Sequence, residues 1–216
     1  MPFAFIRDRM VRLLLLINIL VYLAQSTAPG EWIVRYALWP GGDPAVVRTD
    51  AGWMQVPPFH FWQLVSYGFL HGSFTHLFLN LFGLWMFGSV MERYWGSARF
   101  TVYYFVCLIG AGLVQLAVMH LHLQAGGAPY PTLGASGAVF GLLLAFGMMF
   151  PEQWIILLFP PIPLKAKWFV LGYGALELFF GVAGIAGNIA HFAHLGGMLF
   201  GFLLIQFWRR RFPFAF

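Results

Sequence analysis

Residues 100–151 read FTVYYFVCLIGAGLVQLAVMHLHLQAGGAPYPTLGASGAVFGLLLAFGMMFP and contain no Asp, Glu, Lys or Arg. A helix needs about 20 residues to cross the hydrocarbon core of a bilayer. This run of 52 residues is therefore long enough for two crossings. Its middle, GGAPYP at 126–131, combines glycine and proline, which interrupt helices. We predict two transmembrane helices here, at 99–122 and 133–150, joined by a turn.

The composition of the whole chain agrees with a membrane protein. Of the 216 residues, 61% are apolar and 9% are charged, whereas soluble domains are about 45–50% apolar and about 25% charged. The net charge of +5 would suggest nucleic acid in a soluble protein, but in a membrane protein it is typical of cytoplasmic loops. The only cysteine, Cys107, lies in an apolar run, so a disulfide framework and a cysteine-based metal site are excluded.

Further uncharged runs cover residues 13–30, 51–91 and 178–208, and a glycine-rich stretch at 181–188 separates the last two crossings. The apolar residues 168–176 precede the last of these runs, and a single acid, Glu177, separates them from it. The sequence therefore predicts an all-α membrane protein with a single domain over residues 1–216. The six predicted transmembrane helices cover about 11–27, 71–91, 99–122, 133–150, 165–182 and 188–208, each boundary to within a few residues.

The basic residues predict the orientation of these helices. With both termini in the cytoplasm, ten of the twelve Lys and Arg residues lie on the cytoplasmic side, as the positive-inside rule requires. The arginines at 7–12 and the leucines that follow could be mistaken for a secretory signal. Residues 25–29, QSTAP, form a poor cleavage site, so we expect this first helix to be retained.

Residues 28–70 are too long for a simple turn between helices. They contain four tryptophans, two tyrosines and five prolines. Trp and Tyr are enriched at the headgroup level of membranes. We therefore predict a long first outer loop that lies along the membrane interface.

A few polar residues lie within the predicted helices, where each is costly and by default a candidate for function. His76 and Asn80 are four residues apart and share one helix face. Ser136 lies in a Gly-Ala-Ser-Gly string at 134–137, and His194 lies early in the last helix. In the predicted topology all four side chains lie at a similar depth, in the outer half of the membrane.

These residue types suit acyl transfer. Serine becomes a nucleophile when a neutral histidine takes its proton, and the reaction needs hydrogen-bond donors for the oxyanion. Ser136 and His194 could form the first pair, with His76 and Asn80 as donors. Small-residue pairs at Gly137/Gly141 and Gly197/Gly201 would allow the two helices to approach closely, although close packing alone also explains these glycines. No aspartate at that depth completes a triad.

The combined pattern resembles the rhomboid intramembrane serine proteases. The matching residues are His76-x-x-x-Asn80, the string at 134–137, and Ala193-His194-x-x-Gly197-x-x-x-Gly201, all within six helices. The resemblance runs from about Phe61 to Gly201, and it includes Glu92-Arg93 and Gly96 after the second helix.

The resemblance implies a Ser–His dyad that cleaves transmembrane segments of other proteins, with water admitted from the extracytoplasmic side. It implies that Ser136 is the nucleophile, that His194 is the general base, and that His76 and Asn80 stabilise the oxyanion. The chain departs from many members at Gln63, where they have arginine after tryptophan, and at Phe140, where some have tyrosine. Phenylalanine can still stack on the histidine.

Two other functions remain open at this point. A catalytically inactive rhomboid-like protein would bind membrane clients, although such proteins would normally have lost Ser136 or His194. A transporter or channel is disfavoured because the polar residues stop halfway across the membrane.

The expected partners are transmembrane protein substrates and membrane lipids, with no nucleic acid, and the oligomeric state is left open. The compact six-helix form suggests a bacterial plasma membrane.

His191 lies one turn before His194, but a zinc hydrolase would have a third ligand and usually a glutamate base, so we expect no metal and no cofactor. We expect Glu177 to lie near water or to be protonated, because a charge in the bilayer is costly.

Overall fold

A computed structural model of the chain describes residues 8–40, 46–49, 52–156, 161–184 and 190–211. The helix at Phe74–Trp95 is continuous over its length and contains a π-helical segment at Leu84–Gly88. A short 3₁₀ turn, Tyr67–Phe69, follows the short helix at Gln63–Ser66. The helices in the described ranges are α1 (Arg9–Gln25), α2 (Pro29–Tyr36), α3 (Gln63–Ser66), α4 (Phe74–Trp95), α5 (Ser97–Gln124), α6 (Ser136–Met149), α7 (Ala166–Ala183) and α8 (His191–Arg211).

A helix lies at each of the six predicted positions. Four of them, α4, α5, α7 and α8, are long and apolar enough to cross a membrane. Helix α6 is apolar but has only 14 residues, and α1 has 17. The chain is thus a mainly helical, multi-pass membrane protein, while six crossings and the positions of the termini stay predictions.

Two short antiparallel hairpins were not predicted. Strands β1 (Val46–Thr49) and β2 (Gly52–Gln55) pair in the long first loop, and β3 (Trp154–Ile156) pairs with β4 (Pro163–Lys165) between α6 and α7. Strands of three or four residues are too short to show an alternating pattern, and hydrophobic periodicity is the signal from which strands are predicted. The predicted all-α architecture therefore holds for the helical bundle and not for these connections.

Helices α5, α6 and α8 pack closely because glycines line their contacts. A Cβ atom on Gly197 would lie 1.8 Å from the carbonyl oxygen of Gly137, so the backbones of α6 and α8 touch. On the other side, a Cβ on Gly201 would lie 2.3 Å from the hydroxyl of Tyr103 in α5. That hydroxyl donates a hydrogen bond to the carbonyl of Gly141 at 2.8 Å. The small-residue pairs thus bring these three helices together, whereas the sequence predicts this approach only for α6 and α8.

Helix α1 is fixed at both ends. At its N-terminus the buried carboxylate of Glu92 accepts hydrogen bonds from the backbone N–H groups of Met10 and Val11, at 2.9 and 2.8 Å. These groups have no partner within the helix, and the positive end of the helix dipole favours a carboxylate there. At the other end, the Gln25 amide exchanges two hydrogen bonds with the backbone of His71. The bundle thereby positions the segment that leads into α4.

The long first loop forms a small core of its own. Ala37, Trp39, Val56 and Leu70 are buried together. The backbone of Leu38 forms a two-way β-bridge with Thr132, with both hydrogen bonds at 2.9 Å. The loop therefore supports the segment that immediately precedes Ser136.

Candidate active site

The predicted site residues lie in the first two turns of their helices. Ser136 begins α6, His76 is the third residue of α4, and His194 is the fourth residue of α8. Each of these helices begins three residues later than predicted, at 74, 136 and 191 instead of 71, 133 and 188. The observed starts thus lie almost one turn later than the predicted ones, and the site residues lie closer to the ends of their helices than predicted.

Local features explain the later starts. The Ser73 hydroxyl accepts a hydrogen bond from the backbone N–H of His76 at 3.1 Å and caps α4. Gly134 has φ of +120°, a conformation outside the helical range that residues with a side chain rarely adopt. Its N–H donates to the Tyr67 carbonyl at 2.9 Å. The chain therefore leaves the helical conformation at Gly134 and is held there by the first loop.

Ser136 and His194 are in hydrogen-bond contact although 58 residues separate them. The Ser136 Oγ lies 2.7 Å from the Nε2 atom of His194. The imidazole is 8% exposed and stacks on Phe140, with ring centroids 4.2 Å apart and planes 5° apart. A histidine at this distance can accept the serine proton.

The second ring nitrogen of His194 contacts a carboxylate. Its Nδ1 atom lies 2.9 Å from the Oε2 atom of Glu177, and the Nδ1 atom of His191 lies 2.7 Å from the same oxygen. This contact was not predicted, because only an aspartate was sought for a triad and Glu177 was expected to lie near water or to be protonated. The available signal was an isolated acid in an otherwise apolar helix, which by default marks a functional site.

His76 and Asn80 lie on the same side of the site as Ser136. The backbone N–H of Gly72 donates to the Nδ1 atom of His76 at 3.4 Å, which leaves the proton on Nε2. That Nε2 atom faces Gly134, on which a Cβ would lie only 2.7 Å away. The Asn80 amide donates to the His76 carbonyl at 2.8 Å, and one amide hydrogen is left for another acceptor.

One cavity of about 730 Å³ brings the four predicted residues together. Its wall includes Ser136, His194, His76 and Asn80. The segment at 130–133 also lines it. An open cavity beside a paired serine and histidine is what a peptide bond would need in order to reach the serine.

His71 supports the site through its backbone. Its ring is buried, and neither ring nitrogen has a hydrogen-bond partner among the described residues. Burial, together with the neighbouring His76, lowers the pKa of His71 to about 3. The ring is therefore neutral at physiological pH, and the residue braces the start of the segment that leads into α4 through its two backbone hydrogen bonds to Gln25.

The cluster of Glu177, His191 and His194 also has the spacing of a metal site. One ligand atom from each lies within 4.8 Å of the others. The two contacts to Glu177 are, however, ordinary hydrogen-bond distances. The absence of a metal stays a prediction that a chelator can test.

Comparison with known proteins identifies the family. A family model described as the Rhomboid domain matches residues 58–211. Rhomboid protein 1 from mitochondria of Saccharomyces cerevisiae is 34% identical over 144 residues, which is 65% of this chain and 40% of that protein.

Two bacterial relatives are also similar. Rhomboid protease GlpG of Photorhabdus laumondii is 27% identical over 204 residues, 93% of this chain and 61% of that protein. Rhomboid protease GluP of Bacillus subtilis is 31% identical over 148 residues, 65% of this chain and 25% of that protein. The alignments thus cover less than two thirds of each of these three relatives. Because the domain match covers most of the sequence, the chain belongs to the rhomboid family.

Proposed function

We propose that the chain is an intramembrane serine endopeptidase that cleaves transmembrane segments of other proteins. Ser136 is the nucleophile and His194 is the general base. The observation that carries this proposal is the 2.7 Å contact between Ser136 Oγ and His194 Nε2 inside a cavity. Two relatives are named rhomboid proteases, which supports the same activity.

The reaction follows from the positions of these atoms. His194 Nε2 takes the serine proton as Ser136 Oγ bonds to the carbonyl carbon of the substrate. The electron pair of the carbonyl moves onto its oxygen, which needs donors. The Nε2–H of His76, the second amide hydrogen of Asn80 and the backbone N–H of Ser136 are the proposed donors. His194 then gives its proton to the leaving amine, and water releases the acyl group by the same steps.

The membrane placement is part of the proposal. Residues 1–216 form one domain with six crossings, both termini in the cytoplasm, and a cavity that opens to the extracytoplasmic side of a bacterial plasma membrane. Ten of the twelve basic residues on one side of the predicted topology support this orientation. Large apolar side chains exposed on α4 and α7, such as Phe78 and Phe179, are suited to contact with lipid.

A fluorophosphonate probe tests the proposal directly, because it reacts with an activated serine. The full chain in detergent should carry the probe on Ser136, as located by mass spectrometry. The Ser136→Ala variant should carry none, whereas Ser26→Ala, which removes an exposed hydroxyl at the end of α1, should be labelled like the wild type. No labelling of the folded wild type would favour the inactive, client-binding alternative.

A further inference from the structure

Glu177 is an acid inside an apolar helix, and its position calls for an explanation. It lies in α7, is 9% exposed, and is flanked in sequence by Leu176 and Leu178. Placing a carboxylate within a membrane costs about 2.5–3.5 kcal/mol even on the lenient insertion scale. Such a residue persists only if its charge has partners or a function.

Its partners are two imidazoles on the neighbouring helix. The Oε2 atom of Glu177 lies 2.7 Å from His191 Nδ1 and 2.9 Å from His194 Nδ1. An ionised carboxylate can only accept hydrogen bonds, so both Nδ1 atoms must be the donors. The proton on Nδ1 leaves Nε2 of His194 with its lone pair directed at Ser136 Oγ, 2.7 Å away. This is the tautomer that a general base requires.

We propose that Glu177 is a positioning residue that completes a Ser136–His194–Glu177 triad, and that His191 holds its carboxylate in place. The inference rests on the proposed protease function. When Ser136 gives its proton to Nε2, the ring becomes an imidazolium, and the adjacent negative charge stabilises it. Glu177 stays ionised throughout, and the proton on Nε2 leaves with the amine of the cleaved bond.

A purely structural role for Glu177 would join α7 to α8 without controlling the proton on His194. A metal site in this cluster would require the opposite tautomer, because a metal binds the deprotonated nitrogen. The proposed triad therefore makes a prediction that the two alternatives do not make: the Nδ1 atom of His194 carries a proton. Phe140, which stacks on the same ring, fixes the ring plane and leaves its tautomer to Glu177.

The first test is kinetic and uses Glu177→Gln, which keeps the shape of the side chain and removes its charge. We expect kcat on a transmembrane substrate to fall by up to about 10⁴-fold, the loss that amide replacement of the acid causes in a serine triad, with KM nearly unchanged. Glu31→Gln, the same exchange at an exposed position in α2, should keep the wild-type rate. Full activity of a folded Glu177→Gln variant would overturn the triad.

The second test is a measurement on the wild type, so it does not depend on how Glu177→Gln folds. Nitrogen NMR of the wild type with ¹⁵N-labelled histidine reports which ring nitrogen carries the proton, and the His194 signals are those lost in His194→Gln. We expect Nδ1 of His194 to be protonated. An unprotonated Nδ1 would overturn the proposal.

If the wild type neither cleaves a substrate nor reacts with the probe, the proposed protease function is wrong. If the wild type does both while either test of the triad fails, only the role of Glu177 is wrong.

Discussion

Three contacts hold the ring of His194, and each controls a different property. Nε2 faces the Ser136 hydroxyl, which sets the direction of proton transfer in the proposed mechanism. Nδ1 faces Glu177, which selects the tautomer in the proposed triad. Phe140 stacks on the ring and restricts its rotation. In the proposed mechanism these contacts preorganise Ser136 and His194, and preorganisation contributes much of the rate enhancement of enzymes.

Removing both members of the pair should be hardly worse than removing one. Ser136→Ala and His194→Ala should each reduce kcat/KM to a residual level, and the double variant should show the same level, because residues that act as a unit are strongly non-additive. Steady-state cleavage assays with and without a metal chelator measure this. Additive losses, or inhibition of the wild type by the chelator, would contradict a serine–histidine mechanism.

The proposed oxyanion donors should affect kcat more than folding. His76→Ala or Asn80→Ala should lower kcat by up to about 10²–10³-fold for the donor that carries most of the charge, and by less where the donors share it. Thr75→Ala, at a neighbouring position in the cavity wall, is the matched control and should stay active. A fully active His76→Ala/Asn80→Ala variant would show that both residues only support α4.

Two of the residues at the centre of the site could be predicted from the sequence, and a third could not. Ser136 and His194 lie in short motifs at the starts of helices, and the glycines in those motifs indicate that the helices meet. Glu177 lies 17 residues before His194 on another helix. The direction of the Glu177 side chain depends on how α7 packs against α8, and no local sequence pattern indicates that packing.

At the scale of helices, the approach of α6 to α8 determines whether the serine can reach the histidine. The carbonyl of Gly137, next to Ser136, occupies the space that a side chain on Gly197 would need. Gly137 itself packs on Ala111 of α5, since a Cβ on this glycine would lie 2.4 Å from that methyl group. Any added atom at this crossing must push the helices apart.

A single methyl group should therefore disrupt the α6–α8 contact. Gly197→Ala should destabilise the protein by about 1–3 kcal/mol or more, as overpacking does, and should reduce probe labelling of Ser136. Gly172→Ala, in α7, is the control because a Cβ there meets nothing within 4 Å; it should be neutral or slightly stabilising. Thermal unfolding in detergent measures both, and equal melting temperatures for the two variants would argue against this packing.

The existence of the helices was predictable from the lengths of the uncharged runs in the sequence. The residues at which the helices start, and the short strands, were not predictable. The start of α4 depends on the hydroxyl of Ser73, and that of α6 follows Gly134, whose backbone is left-handed. Apolar character alone does not distinguish the residues before each helix from its first helical turn. The hairpins β1–β2 and β3–β4 form through backbone pairing over three or four residues, which leaves no periodic pattern in the sequence.

At the scale of the molecule, composition alone identifies the membrane as the environment. The number of membrane crossings is harder to predict from the sequence, because α1 and α6 are shorter than the other four helices of the bundle. In the proposed orientation, α6 starts at the outer side with Ser136 as its first residue. A substrate must then present its scissile bond in the outer leaflet.

The substrate helix has to unwind before it can be cut, because intact helices engage their carbonyls in hydrogen bonds. Glycine near the cut lowers this cost by about 1 kcal/mol per residue relative to alanine. We expect cleavage near the extracytoplasmic end of a model substrate, about fivefold faster for each glycine placed there and slower with leucine. Mass spectrometry of the products provides the check; cuts in the cytoplasmic half, or rates indifferent to the exchange, would contradict the proposed orientation or site.

The most direct test of the central claim is cleavage of a model transmembrane substrate by the purified full chain in lipid vesicles. The account predicts two product fragments with the wild type and with Ser26→Ala, and no fragments with Ser136→Ala. Fragments formed at the wild-type rate by a folded Ser136→Ala variant would show that Ser136 is not the nucleophile.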